Sequence, residues 1–494
     1  MDAAALRRIA EQAMLSRGLR PAFEPAVLQE VQARAAAGPD DLGVGSDVRD
    51  LRALPWFSID NDDTRDLDQL SCAQALPGGA SLLRVAVAEV DAMVRRGGAI
   101  DEHAAANTTS VYTAAGVFPM LPERLSTNLT SLHLDEDRLA VVVALQIGDD
   151  GALAAPPDIH RAVVRNQAKL AYDGVAAWLD GRGPLPPAAQ GFEDQLRLHD
   201  ALAERLRGWR QRRGALNLAT VSARPVFDAE GHLVDLLPDG RNRAKDLIAD
   251  LMIATNAATA RFLAQHGMPT LRRALPSPPH WDRLVALAAA HGGTLPATPD
   301  APALERFLAA RRAADPDRYA ELSLAVVKLL GSGDYVAEPA QDPADPADPA
   351  APAGGHFGLA VADYAHSTAP NRRFPDLVTQ RLLKAVLAGA PSPYALDALQ
   401  AIAAHCTHQE DMANKVERQV LKTAAAYLLQ RRIGECFDGL VTGTPSKGTF
   451  ARIARPLVEG RIVRGFEGLQ VGDTPRLRLL AVDTEQGHID FERC

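Results

Sequence analysis

Apolar residues recur at helical spacing over Ala4–Leu15 and Pro25–Ala37, and Gly18 and Gly38 break the two runs. The pattern predicts two short helices within residues 1–50. They form either a helix-turn-helix-like module or an extension packed on the rest of the chain. From Leu54 to Ile147 the period shortens. LLRVAVAEVDAMV and RLAVVVALQIG are rich in β-branched residues, bounded by Gly and Asp, and read as strands. Residues 160–215 return to helical spacing and end in the basic stretch RLRGWRQRRG. TVSARPVFDAEGHLVDL reads as two strands joined at Glu230-Gly231. AKDLIADLMIATNAATARFLAQHG reads as a long amphipathic helix stopped by Gly267. The Pro-rich run 337–355, with its DPA repeat, cannot build a core and is expected to be an exposed loop. Helical spacing resumes over 370–388 and 396–432. From Cys436 to Arg493, short β-runs are separated by TGTPSKG, EG, GD and EQG, which suits a small five-stranded OB barrel. The predicted class is α+β and multidomain: a helical module over 1–50, a central unit over 51–432 and an OB-fold barrel over 433–494.

Composition narrows the choice of partners. The 494 residues are 47% hydrophobic, ample for buried cores, and 62 acidic against 53 basic side chains give a net charge of −9. That excludes a uniformly basic coat protein but not a basic channel, because binding follows local potential. No apolar run approaches ~18 residues, so no membrane span is expected. The first residues, MDAAALRRIAEQAM, carry charge where a signal peptide needs an apolar stretch. Cys72, Cys406, Cys436 and Cys494 show no short-range pairing, against a zinc cluster or a disulfide scaffold. A cytoplasmic location is the expectation.

The candidate chemistry begins at PWFSIDNDDTRDLDQL, residues 55–70, which holds Asp60, Asp62, Asp63, Asp66 and Asp68. A solvated acidic loop would have the same composition. Three features point elsewhere. Trp56, Phe57 and Ile59 flank the run, so it enters from a buried element. Asp66 and Asp68 are two apart and share a face of an extended segment. Asp60 follows a strand-like WFSI that can aim it at the same point. Converging carboxylates make a hard oxygen site suited to Mg²⁺ or Mn²⁺, the ions of phosphoryl chemistry.

A second constellation is HFGLAVADYAHSTAPNRRFPDLVTQRLLKAVL, residues 356–387. Ser367 or Thr368 can cap a helix beginning near Pro370. Arg372 and Arg373 then fall in its first turn, where cations oppose the helix dipole. They make sense there if an anion such as phosphate binds; the alternative is an ion pair, for instance with Asp376. In the C-terminal barrel Phe437, Phe450 and Phe466 lie among Lys447, Arg452, Arg455, Arg461 and Arg464, a single-strand nucleic-acid composition. Phe450, beside Gly448, is the aromatic expected to be exposed.

Together these segments resemble the RNB family, the catalytic domain of ribonuclease II and ribonuclease R. SIDNDDTRDLD is similar to the family's acidic signature. TSVYTAAGVFPMLPERLSTNLTSL is similar to its Tyr and Pro-Met-Leu-Pro stretch, HFGLAVADYAHSTAPNRRFPDL to its arginine segment, and NKVERQV (414–420) to a further helical motif. The resemblance covers most of 55–432, with the barrel following. It implies a processive, Mg²⁺-dependent 3′-to-5′ exoribonuclease that hydrolyses single-stranded RNA to nucleoside 5′-monophosphates; separately, no membrane partner and a monomer are expected. By position, Asp60, Asp66 and Asp68 would bind metal and act in catalysis with Arg372. Tyr112 would stack on a 3′-terminal base, and Arg372, Arg373, Glu417 and Phe450 would contact RNA.

The chain departs from the family pattern at four places. Gln69 replaces the fourth signature aspartate. Thr368-Ala369-Pro370 and Phe374 replace Thr-Ser-Pro and Tyr. Ser367 replaces a Phe. The helical residues 1–50 stand where the family has cold-shock barrels. Gln69 is neutral and a weaker ligand, which supports a second reading: a catalytically weak RNA-binding protein using the same channel. A metal phosphodiesterase acting on DNA or small nucleotides is a third.

Overall fold

The computed structural model describes residues 1–36, 47–219, 221–275, 277–316, 318–340, 355–443 and 448–494. Most of the Pro-rich run, 341–354, and Lys447 lie outside the described residues. The run's first two residues, Ala337 and Glu338, end a strand, Asp334–Glu338, which pairs with Thr270–Ala274.

A seven-stranded mixed sheet carries the larger core. Its order is Arg49–Asp50, Asp158–Arg165, Asp137–Ile147, Ser81–Ala88, Gln69–Ala75, Phe57–Asp60 and Ala168–Ala171. The centre is antiparallel, and both edge pairings are parallel. Ser81–Ala88 is central, and its last four residues are all buried, as expected of a strand covered on both faces. Two of these strands, Asp158–Arg165 and Ala168–Ala171, fall where helical spacing was read over 160–215. Helix begins only at Tyr172–Leu179 and continues in Glu193–Gln211. The alternation in DIHRAVVR is strand-like; pairing with Asp137–Ile147 fixes it.

Helix Arg243–Gln265 is long and apolar enough to cross a membrane by length and composition, but 72% of its apolar window is buried inside the protein. It is a core helix packed on the sheet and on helix Glu193–Gln211. Helix Phe374–Leu387 is the other main support. A buried ionic cluster docks it on the end of Ser81–Ala88. Lys384 contacts Glu89 at 2.9 Å and Asp91 at 2.7 Å, and Arg381 contacts Asp91 and Asp101, each at 2.8 Å. Gln380 adds a hydrogen bond from its Nε2 to the Ala88 carbonyl.

The 34-residue helix Leu396–Leu429, about 50 Å long at 1.5 Å per residue, is the spine. Leu399, Ala403 and Cys406 sit in the sheet core, while Val416, Val420 and Leu429 sit in a second core shared with the C-terminal barrel. That barrel is closed, in the order Cys436–Gly443, Thr449–Ala454, Leu457–Arg464, His488–Arg493, Arg476–Asp483. The fold is thus the mixed α/β unit with an OB-type barrel that the sequence predicted. Helices Trp281–Ala290, Ala301–Ala314 and Tyr319–Leu330 enclose a third, smaller core.

The N-terminal helices are Ala3–Leu15 and Pro25–Ala36, reversed at Gly18, whose φ of +76° suits glycine. Their buried faces join two different cores. Leu6, Ala10 and Met14 pack with the spine and barrel; Val27 and Val31 pack with the sheet. Leu6→Ala should therefore lower the unfolding free energy by about 2–5 kcal/mol, read as a fall in the urea midpoint. An unchanged midpoint would mean that this helix peels from the body at no cost. Arg381→Met should cost about 3–5 kcal/mol, read on the same urea midpoint, because it leaves Asp101 buried without its cation and Asp91 with Lys384 alone.

Candidate active site

The acidic loop leaves strand Phe57–Asp60 and re-enters the sheet at Gln69. Buried Leu67 anchors it. The Leu67 N–H donates to Ser131 Oγ at 3.0 Å, and its carbonyl accepts from the Leu132 N–H at 2.9 Å. In an extended segment this turns Asp66 and Asp68, on either side of Leu67, to the opposite face. Asp60 Oδ1 accepts from the Asn61 N–H at 2.8 Å and the Thr64 hydroxyl at 3.1 Å. Asp62 and Asp63 stand at an exposed turn.

Arg372 comes from the far side. It does not lie in a helix's first turn, as the sequence suggested. Helix begins at Phe374, with Arg373 at its N-cap and Pro375 in its first turn. Two interactions delay the start: Asp376 Oδ1 accepts the Ala369 N–H at 2.8 Å, and Ala369 accepts from the Arg372 and Arg373 N–H groups in a tight turn. Asp376 supplies the acid that complements the helix dipole. The turn is fixed from behind as well. The Arg372 carbonyl accepts the Ser110 N–H at 2.9 Å, and the Phe374 N–H donates to the Thr108 carbonyl at 2.8 Å. Thr108 takes a φ of +60°, uncommon for a β-branched residue, where it ends helix Ala99–Asn107 and sends the chain toward Tyr112.

The two halves meet at Asp68. Its Oδ1 accepts the Asn371 N–H at 2.9 Å, and its Oδ2 lies 3.3 Å from Arg372 Nε. Asp68 is 3% exposed. Burial raises its pKa to about 7, against the opposing pull of Arg372 and the Asn371 N–H. Burial likewise raises Asp60 and Asp66, and Arg372 lowers both. Burial disfavours the charge on Arg372, but Tyr112, Asp68, Asp60 and Asp66 together hold it firmly protonated. Its side chain stays 43% exposed in the cleft.

The sequence-predicted residues separate into groups. Asp60, Asp66, Asp68, Arg372 and Tyr112 come together. Tyr112 is 42% exposed, sits against Arg372, and donates its backbone N–H to Glu417 Oε1 at 2.9 Å. Glu417 thus positions the strand that carries Tyr112. Arg373, read as an RNA contact, is engaged instead with buried Asp376 at 2.7 Å. That is the ion pair weighed as the alternative, with the partner three residues on. Phe450 is half-buried under Lys422, and the exposed aromatic of the barrel is Phe466, at 40%. Phe437 belongs to the barrel core with Phe491.

Tyr172 was missed. It opens the helix after strand Ala168–Ala171, beside Asp60, close enough that Asp60 and Arg372 both act on its phenol. Its signal was the strand pattern ahead of it, hidden in a stretch read as helical.

No group of three or more His, Cys, Asp or Glu side chains among the described residues could hold a metal ion. The Asp68 oxygens accept from Asn371 and Arg372, and Asp60, Asp66 and Asp68 are not gathered as a three-carboxylate cage. Asp60 and Asp66 remain as a half-buried pair, each raised by burial, with Asp60's charge acting on Asp66. Such a pair fits a sparse Mg²⁺-type site, which takes one or two carboxylates plus water and substrate phosphate.

Comparisons with known proteins identify the family and the fold. Residues 48–389 match the RNB domain, and residues 435–494 match the RNase II-type exonuclease C-terminal S1 domain. The chain belongs to the RNB family. Ribonuclease R of Vibrio parahaemolyticus is 30% identical over an alignment covering 92% of this chain and 56% of that one. The chain therefore spans about half the length of the curated relatives it matches. Among solved structures, Mycoplasma genitalium RNase R in complex with ribose-methylated single-stranded RNA superposes with a TM-score of 0.85 at 22% identity, over 99% of this chain and 78% of that one. Yeast Ssd1, a pseudonuclease, superposes with a TM-score of 0.66 at 16% identity, over 86% of this chain and 51% of that one. The fold is shared by nuclease and pseudonuclease, so the RNB fold alone does not decide catalysis.

Glu417→Ala should free the Tyr112 N–H and weaken binding of single-stranded RNA about tenfold or more, as expected of a hydrogen bond to a charged group, worth about 1.5–3 kcal/mol. Glu417→Gln keeps an acceptor and should bind nearly as wild type. Filter binding of a labelled oligonucleotide checks both.

Proposed function

We propose that this chain is a processive 3′-to-5′ exoribonuclease that threads single-stranded RNA and releases nucleoside 5′-monophosphates. The Asp68–Arg372 contact carries the reading: a buried carboxylate aims a half-exposed guanidinium into a cleft lined by two further carboxylates and a tyrosine. Family membership supports it.

In this reading the terminal base stacks on the exposed ring of Tyr112. The scissile phosphate takes the free side of the Arg372 guanidinium, which stabilises charge developing on the phosphoryl oxygens. Asp68 holds Arg372 at that place. Asp60 and Asp66 would hold Mg²⁺ or Mn²⁺, which when bound supplies charge neutralisation and an acidified water. The OB-type barrel offers Phe466 as a stacking platform. A monomer in the cytoplasm suffices for this activity.

Gln69 supports the second reading, of an RNA-binding protein with weak catalysis. It begins strand Gln69–Ala75 next to Asp68, and no three-carboxylate cage forms beside it.

Digestion of a 5′-labelled single-stranded RNA with Mg²⁺ separates the two. The native chain should shorten the RNA stepwise to a small limit product. Arg372→Ala should lower the rate about 10²–10³-fold, the usual loss for one preorganised donor. Asp68→Asn should also abolish turnover while leaving the thermal midpoint near wild type, because it removes a buried charge as well as an anchor. RNA left intact by the native chain but degraded by Gln69→Asp would establish the binding protein. RNA left intact by both would remove the acidic loop as the active centre.

A further inference from the structure

Four cysteines divide sharply by environment. Cys72 and Cys406 are buried, and burial pushes both thiols up, Cys72 to about 12. Cys436 and Cys494 are exposed on the C-terminal barrel, 58 positions apart in sequence, with their Sγ atoms 3.1 Å apart. The barrel's closure brings them together. Cys436 opens strand Cys436–Gly443 and stands opposite Arg478. Cys494 follows strand His488–Arg493 and donates its N–H to the Arg476 carbonyl at 2.9 Å. Both residues therefore flank the same strand, Arg476–Asp483, one from each side.

We infer that Cys436 and Cys494 are a thiol pair that closes to a reversible disulfide, tying the first barrel strand to the last across the strand between them. The sulfurs must approach by about 1 Å to reach bonding distance. Residue 494 lies beyond the last strand residue and can supply that movement, whereas Cys436 is fixed by the bonds of Gly434 and Glu435 to Leu479 on the neighbouring strand.

Either thiol can donate to the other, and the Arg478 guanidinium adjoins the pair. Either can therefore attack first, and the other resolves. With a low-molecular-weight disulfide such as glutathione disulfide, and Cys436 attacking first, its thiolate attacks one sulfur and expels one glutathione thiolate, which takes up the proton Cys436 lost. Cys494 then gives up its proton, attacks the mixed-disulfide sulfur at Cys436, and expels the second glutathione. Two protein thiols are oxidised, one glutathione disulfide is reduced to two thiols, and no other reductant or oxidant is needed.

The test is treatment of the full native chain with glutathione disulfide, followed by intact mass and peptide mapping. The expected product has lost two hydrogens, joins the peptides holding Cys436 and Cys494, keeps Cys72 and Cys406 as thiols, and returns to the starting mass with dithiothreitol. C494S should stop at one glutathione on Cys436. C436S should stop at one glutathione on Cys494. The oxidised native chain should also melt higher than the reduced chain, a shift absent from both variants. Glutathione on both cysteines with no internal bond would overturn the proposal, as would no reaction at either residue.

Discussion

The contact between Asp68 and the Arg372 turn is the constraint on which the site rests. A carboxylate 3% exposed has no water to solvate it, so it must find donors in the protein or remain protonated. It finds two, both from the turn ahead of helix Phe374–Leu387: the Asn371 N–H and the Arg372 guanidinium. The requirement is mutual. Arg372 is drawn toward Asp68, Asp60 and Asp66 at once, and these hold it in the cleft although burial opposes its charge.

The rest of the fold brings these halves together. Asp68 is fixed by the sheet, since its carbonyl accepts the Ala88 N–H at 2.9 Å where Ser81–Ala88 ends. That strand end is also where helix Phe374–Leu387 docks, through Gln380, Arg381 and Lys384. The ionic cluster lies about two turns beyond the Arg372 turn, so the helix acts as a lever whose far end is clamped. Thr108 and Ser110 close the arrangement from behind and join it to Tyr112. The spine helix then sets Tyr112 through Glu417, and its later turns carry the barrel. Cleft and barrel are thus referred to one rigid element.

Much of this was legible in the sequence, for identifiable reasons. The acidic loop could be read because WFSI is strand-like and Asp66 and Asp68 alternate with apolar Leu67. The barrel could be read because its strands are short and punctuated by Gly. What was not legible depends on tertiary partners. Arg372 and Arg373 are adjacent and chemically identical. Only the position of Asp376, inside the helix, and of Asp68, across the sheet, turns one to a structural ion pair and the other to the cleft. Phe450 and Phe466 are likewise similar in sequence; a lysine from the spine covers one and not the other. Asp158–Arg165 was lost because a short alternating run carries little signal until a neighbour pairs with it, and Tyr172 was lost with it.

Gln69 takes its meaning from the same electrostatics. Asp60, Asp66 and Asp68 are all raised by burial, and Arg372 is the one cation that lowers each of them. A carboxylate at position 69, next to Asp68 in the chain, would add a like charge near this group, at a cost in stability that a bound divalent cation would offset. Glutamine removes that charge. It lowers the like-charge repulsion near Asp68 and, with it, the attraction for a cation. Stability and metal affinity at this site are therefore opposed, and Asp68, Asp60 and Asp66 supply the negative charge that keeps Arg372 in place.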